Sequence, residues 1–106
     1  MKIPIYGGEL KILILSDFKA IAKKHNLILE GGEDAFVFIS AKGEIVMCLQ
    51  KDYINPGLVA HEAVHVASIV FRSRSIDFDP FNDEPIAYFI GWVVDEVYKK
   101  LDKESP

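Results

Sequence analysis

Apolar positions along the chain fall into short runs, and the spacing inside each run predicts an element. Lys2–Tyr6 and Lys11–Leu15 are rich in β-branched residues and are parted by Gly7-Gly8. They predict two strands, or one strand with a turn. Ser16 or Asp17 then stands where a short helix needs a cap, because either side chain can accept from first-turn amides that lack an intrahelical partner. Phe18, Ile21 and Ala22 give that helix an apolar side, and it ends near His25. Ala35–Ser40 and Glu44–Leu49 flank Ala41-Lys42-Gly43. This predicts a β-hairpin in which Gly43 supplies the positive φ of a tight turn.

The rest of the chain changes to a helical period. Asn55 is an N-cap and Pro56 occupies the first helical position, where its missing N–H costs nothing. The helix continues to about Phe71 with apolar residues on nearly all sides, which predicts that it is buried. A polar loop through Asp77, Asp79 and Pro80 follows. The second helix starts near Asn82–Pro85 and ends near Leu101, with Ile86, Phe89, Ile90, Val93, Val97 and Leu101 as its apolar stripe. The order predicts an α+β domain with a small, mostly antiparallel sheet, a buried helix and a second packed helix. Residues 1–102 read as one domain and 103–106 as a tail.

Composition narrows the function classes. Among 106 residues, half are hydrophobic and 26% are charged, the balance of a folded globular chain. The net charge of −4 argues against a nucleic-acid partner, which needs a basic surface. No run is long enough for a membrane helix, and the N-terminal stretch lacks the pattern of a signal peptide. The single Cys48 cannot form an internal disulfide and fits a reducing compartment, so the expected location is cytoplasmic. In an apolar strand it should be buried and inert.

One motif carries chemistry. His61-Glu62-Ala63-Val64-His65 is H-E-x-x-H within the expected buried helix. Residues four apart share a helix face, so the two imidazoles can converge on one zinc ion (Zn2+) at about 2.0–2.1 Å from each nitrogen. Glu62 is turned by roughly 100° from His61. That sets its carboxylate beside the metal, where it can take a proton from a metal-bound water as general base. A catalytic zinc site needs a third protein ligand. No histidine follows His65, and Glu84 is the best acidic candidate. It lies in the first turn of the second helix, with eighteen residues between it and His65. Ala87 and Gly91 are small and lie on its side of the helix, which suits close helix approach.

These residues resemble the gluzincin metallopeptidases, in which H-E-x-x-H is followed on a second helix by a glutamate ligand. Asp83-Glu84-Pro85-Ile86-Ala87 is similar to the Asn-Glu-x-x-Ala pattern of zinc aminopeptidases, with Asp83 in place of Asn. The size and the Glu84–Trp92 stretch also look like small phage- and prophage-encoded metallopeptidase-like proteins. The resemblance covers His61 to Tyr88, about a quarter of the chain. It implies a minimal zincin-like domain that hydrolyses peptide bonds, with His61, His65 and Glu84 on zinc, Glu62 as general base and a peptide or protein as substrate. The large substrate-binding domains and exopeptidase motif of the aminopeptidases are missing, so their specificity does not carry over.

Further residues bear on the site. Tyr88, one turn beyond Glu84, is a candidate catalytic donor to an oxyanion. Tyr53 is a candidate cleft residue, and Val37–Ile39 or Ile45–Met47 a strand edge for an extended peptide. His25 follows Lys23 and Lys24 at a helix C-terminus, where cations are favoured, and reads as a surface residue. Asp77, Asp79, Asn82 and Asp83 lack the spacing of a calcium loop. Phe89 and Trp92 read as core. The rival function is a non-catalytic domain that keeps zinc as a structural staple, with a fourth ligand from Asp77, Asp79 or Asp83. A third has no metal and binds a partner protein. The apolar second helix also offers a homodimer interface.

Overall fold

The strand Ile45–Gln50 is apolar without alternation, and Ile45 through Leu49 are all buried. A strand reads this way when both of its faces and both of its edges are covered. In the computed structural model, which describes Met1–Glu104, it is the middle strand of a three-stranded sheet. The strands are β1 (Leu10–Leu15), β2 (Ala35–Ile39) and β3 (Ile45–Gln50), in the order β1-β3-β2. Helices α1 (Lys19–His25), α2 (Pro56–Ser73) and α3 (Glu84–Glu104) complete the α+β architecture, with a short 3-10 turn at Lys51–Tyr53.

The hairpin forms as the pattern requires. β2 and β3 pair antiparallel with Phe38 opposite Val46 and Ile39 opposite Ile45. Gly43 holds φ +84°, and its N–H donates to the Ser40 carbonyl at 2.9 Å. The expectation of a mostly antiparallel sheet needs correction, because β1 pairs parallel with β3 through Leu10–Ile45 to Leu15–Gln50. The sheet is mixed. Parallel neighbours need a long crossover, and the α1 segment with β2 supplies it. The N-terminal stretch also differs from the expected strand. Among residues 2–6 only Lys2 bridges, to Glu9, while Ile5 takes φ 68° and turns the chain.

The chain separates into two compact units, Met1–Leu58 and the part from Val59 onward. In the first, Phe18, Val46 and Cys48 form a buried cluster packed by Leu13, Leu15, Ile21, Leu29, Phe36 and Phe38. Phe18 meets Phe36 edge-on at 4.8 Å between centroids. Cys48 is fully buried, as expected, and burial pushes its thiol pKa up to about 12. Asp17 accepts from the Lys19 amide at 3.0 Å and so ties down the start of α1, although Phe18 is the formal cap residue. His25 is half-buried rather than a plain surface residue, with its ring 4.9 Å from that of Phe38.

The helical unit also follows its sequence signals. Asn55 Oδ1 accepts from the Leu58 amide at 2.9 Å, the expected N-cap of α2. On α3, Phe89, Val93 and Val97 are buried, three positions of the expected stripe. Phe71 of α2 and Phe89 of α3 face each other at 5.9 Å. α3 continues through Lys103 and Glu104, two positions assigned to the tail from sequence, and the other two, 105–106, lie outside the described residues. Among the described residues no helix is long and apolar enough to cross a membrane.

Candidate metal centre

The expected all-round burial of α2 is the second correction. Its buried residues, Val59, Glu62, Ala63, Val66, Ala67, Val70 and Phe71, recur at three- and four-residue intervals and define one face. Ala60, His61, Val64, His65 and Ser68 lie on the exposed side. The sequence misleads here because alanine and valine occupy both faces, so apolar count alone does not separate them.

That division places the motif. His61 and His65, one turn apart, lie on the exposed face with their Nε2 atoms 3.2 Å apart. Their rings meet edge-on at 73°. Glu62 falls in the buried stripe and is 6% exposed. Its Oε2 has no hydrogen-bond partner. Burial raises the Glu62 carboxyl pKa above its ordinary value, and electrostatic attraction to His65 and His61 acts in the opposite direction. Ligand atoms of all three side chains lie within 4.8 Å of one another, so His61, Glu62 and His65 could hold a metal ion.

The donor geometry can be tested against the ion. Two nitrogens 3.2 Å apart, each about 2.05 Å from a common centre, subtend about 103° there, close to the tetrahedral angle that zinc takes. The imidazoles are thus spaced as two ligands of one tetrahedral ion. In the absence of an ion the same separation suits a hydrogen bond between one protonated and one bare Nε2. The unpartnered Oε2 beside them is a second sign of a site built for a ligand, since a buried carboxylate without a partner costs about 1–3 kcal/mol.

Glu84 is not among the residues gathered in this cluster. Glu84 is the first residue of α3 and is exposed, and Tyr88 is exposed on the same side of the helix. Ala87 and Gly91 are also exposed, and together with Glu84, Tyr88, Trp92 and Asp95 they line a shallow groove on α3. Trp92, expected in the core, is half-buried at this groove, while Phe89 is buried. Tyr53 is exposed, as are Asp77, Asp79 and Asp83. Asp95, one of the acidic residues downstream of His65, shares this face through the helical spacing of Glu84, Tyr88, Trp92 and Asp95.

No family model matches the chain, and neither a curated protein nor a solved structure resembles it at a significant level.

Proposed function

We propose that the chain is a minimal zinc metallopeptidase-like domain that hydrolyses peptide bonds. The observation that carries this reading is the 3.2 Å Nε2–Nε2 separation of His61 and His65 beside the buried, unpartnered carboxylate of Glu62. In this reading His61 and His65 hold the ion and Glu84 supplies the third ligand. The exposed Glu84 carboxylate is available for that role, and the proposal requires the first turn of α3 to reach the histidines when metal binds. Zinc would supply Lewis-acid chemistry, acidifying water and polarising a peptide carbonyl.

The chain's own groups do the rest. Glu62 takes a proton from the attacking water and delivers it to the leaving amine as the C–N bond breaks. Its burial keeps the carboxylate poorly solvated and hence a stronger base. Tyr88 would follow Glu84 towards the site and donate its hydroxyl to the oxygen on which charge develops. The substrate class is a peptide or protein.

A second reading is favoured by one observation: the histidine pair lies on an exposed helix face with Glu84 outside its cluster. An ion held there without an assembled third ligand and cleft would be a structural staple. Peptide hydrolysis by zinc-loaded protein separates the two. The catalytic reading predicts turnover that disappears in Glu62→Gln while the zinc stays bound. Hydrolysis that survives Glu62→Gln would sink it, and a zinc-bound wild type inert towards a broad peptide mixture favours the staple.

A further inference from the structure

Between α2 and α3 the chain exposes large apolar side chains within a strongly acidic stretch. Ile76 is 38% exposed, Phe78 59% and Phe81 98%, and Tyr88 on α3 is 75% exposed. The turn that presents them is fixed by its own backbone. The Asp79 carboxylate accepts from the Phe81 amide at 2.9 Å, and its carbonyl accepts from the Asn82 amide at 3.0 Å. The aromatic groups are therefore displayed from a formed turn, which lowers the ordering entropy of docking. Single exposed apolar residues are ordinary; a run of large ones rimmed by polar groups marks an interaction site.

The chain passes from Phe81 directly into the groove on α3. The groove measures about 440 Å³ and is lined by Glu84, Ala87, Tyr88, Gly91, Trp92 and Asp95. A Cβ at Gly91 would meet nothing within 4 Å, so the floor there is open. Tyr88 and Trp92 provide aromatic surface, and a carboxylate stands at each end. Glu84 and Asp95 are eleven residues apart, about 16 Å along a helix. Neither has an ion-pair partner among the described residues. From Ser75 to Tyr98 there are six carboxylates and no lysine or arginine.

We propose that this face docks a cationic, amphipathic segment of another protein. An extended segment rises about 3.3 Å per residue. Its side chains alternate between two faces, so two lysines or arginines four positions apart share a face and span about 13 Å, which their long side chains extend to reach Glu84 and Asp95, with the apolar side chain between them on Tyr88, Gly91 and Trp92. Arginine would gain further from the aromatic faces. The sign of the charge decides against other occupants. A second copy of the same face, a nucleic acid and an anionic membrane all carry negative charge and are repelled. The docking surface is that of the metal-free chain; it shares Glu84 and Tyr88 with the proposed metal site, so zinc and the segment would compete for Glu84.

Trp92 is the chain's single tryptophan, so its fluorescence reports on the groove directly. The test titrates metal-free protein, in chelator, with a short peptide repeating lysine-serine-leucine-serine, which sets lysine and leucine on one face when extended. Its leucine–glutamate analogue and a lysine-only peptide serve as controls. The proposal predicts a saturable shift of the Trp92 emission with the first peptide, weakening as salt is raised. It predicts affinity lower by about tenfold or more for the lysine-only peptide, and no binding of the glutamate analogue. Asp95→Lys and Phe81→Ser, both at exposed positions, should each weaken binding by about tenfold while circular dichroism stays unchanged. No saturable shift, equal binding of the glutamate analogue, or full affinity in both variants would overturn the proposal. So would self-association that buries Trp92 and blocks the peptide. Because chelator is present throughout, none of these outcomes depends on whether the chain is a peptidase.

Discussion

Replacing Glu62 with methionine should make the metal-free protein more stable. Glu62 is 6% exposed, its Oε2 lacks a partner, and burial raises its pKa. A buried polar group left unpaired costs about 1–3 kcal/mol. Methionine has similar length and helix propensity and places apolar atoms in the stripe formed by Val59, Ala63 and Val66. The desolvation cost disappears and little new cavity opens. Glu62→Met should therefore gain roughly 1–3 kcal/mol at neutral pH, and each kcal/mol corresponds to about 4–8 °C in Tm for a domain of this size. The assay is urea and thermal unfolding followed by circular dichroism, with chelator present. A loss of 1 kcal/mol or more would refute the reasoning, because it would mean that the carboxylate is well satisfied in the folded chain. The same substitution should abolish any zinc-dependent hydrolysis, the pattern expected where a destabilising group is kept for its chemistry.

Other outcomes follow from single contacts. Cys48 should resist alkylation in the folded protein and react on unfolding, which thiol labelling with and without urea measures. Its folded pKa of about 12 lies above the ordinary thiol value of 9.0. Its contribution to stability is thus complete below about pH 9 and declines as pH rises towards 12. Cys48→Ala should lack this part of the alkaline decline. Asn55→Ala removes the acceptor of the Leu58 amide and should cost about 1 kcal/mol, read from the urea midpoint. Gly43→Ala meets no atom within 4 Å but must adopt φ +84°, and should cost about 1 kcal/mol by the same assay.

How much the sequence disclosed differs from element to element. Asn55-Pro56 and Gly43 are local signals, since a cap and a tight turn depend on a few neighbouring atoms, and both stand where expected. The unbroken run Ile45–Leu49 likewise marked a buried strand. The partner of β1 was not legible, because Leu10–Leu15 could pair along either edge of the hairpin and only the tertiary fold selects β3. The two faces of α2 were not separable by apolar pattern, because Ala60 and Val64 look like core and are exposed. The histidine pair was legible because four-residue spacing is a property of any helix. The position of Glu84 was not, because a spacing of eighteen residues does not determine how two helices meet.

The central claim is that His61 and His65 seat a metal ion, and the most direct measurement is metal content by mass spectrometry after zinc loading and dialysis. The samples are the wild type, His61→Ala, His65→Ala and Glu84→Ala. The account predicts about one zinc per chain in the wild type, little in either histidine variant, and a clear loss in Glu84→Ala. A wild type that retains no zinc, or histidine variants that retain as much as the wild type, would contradict it.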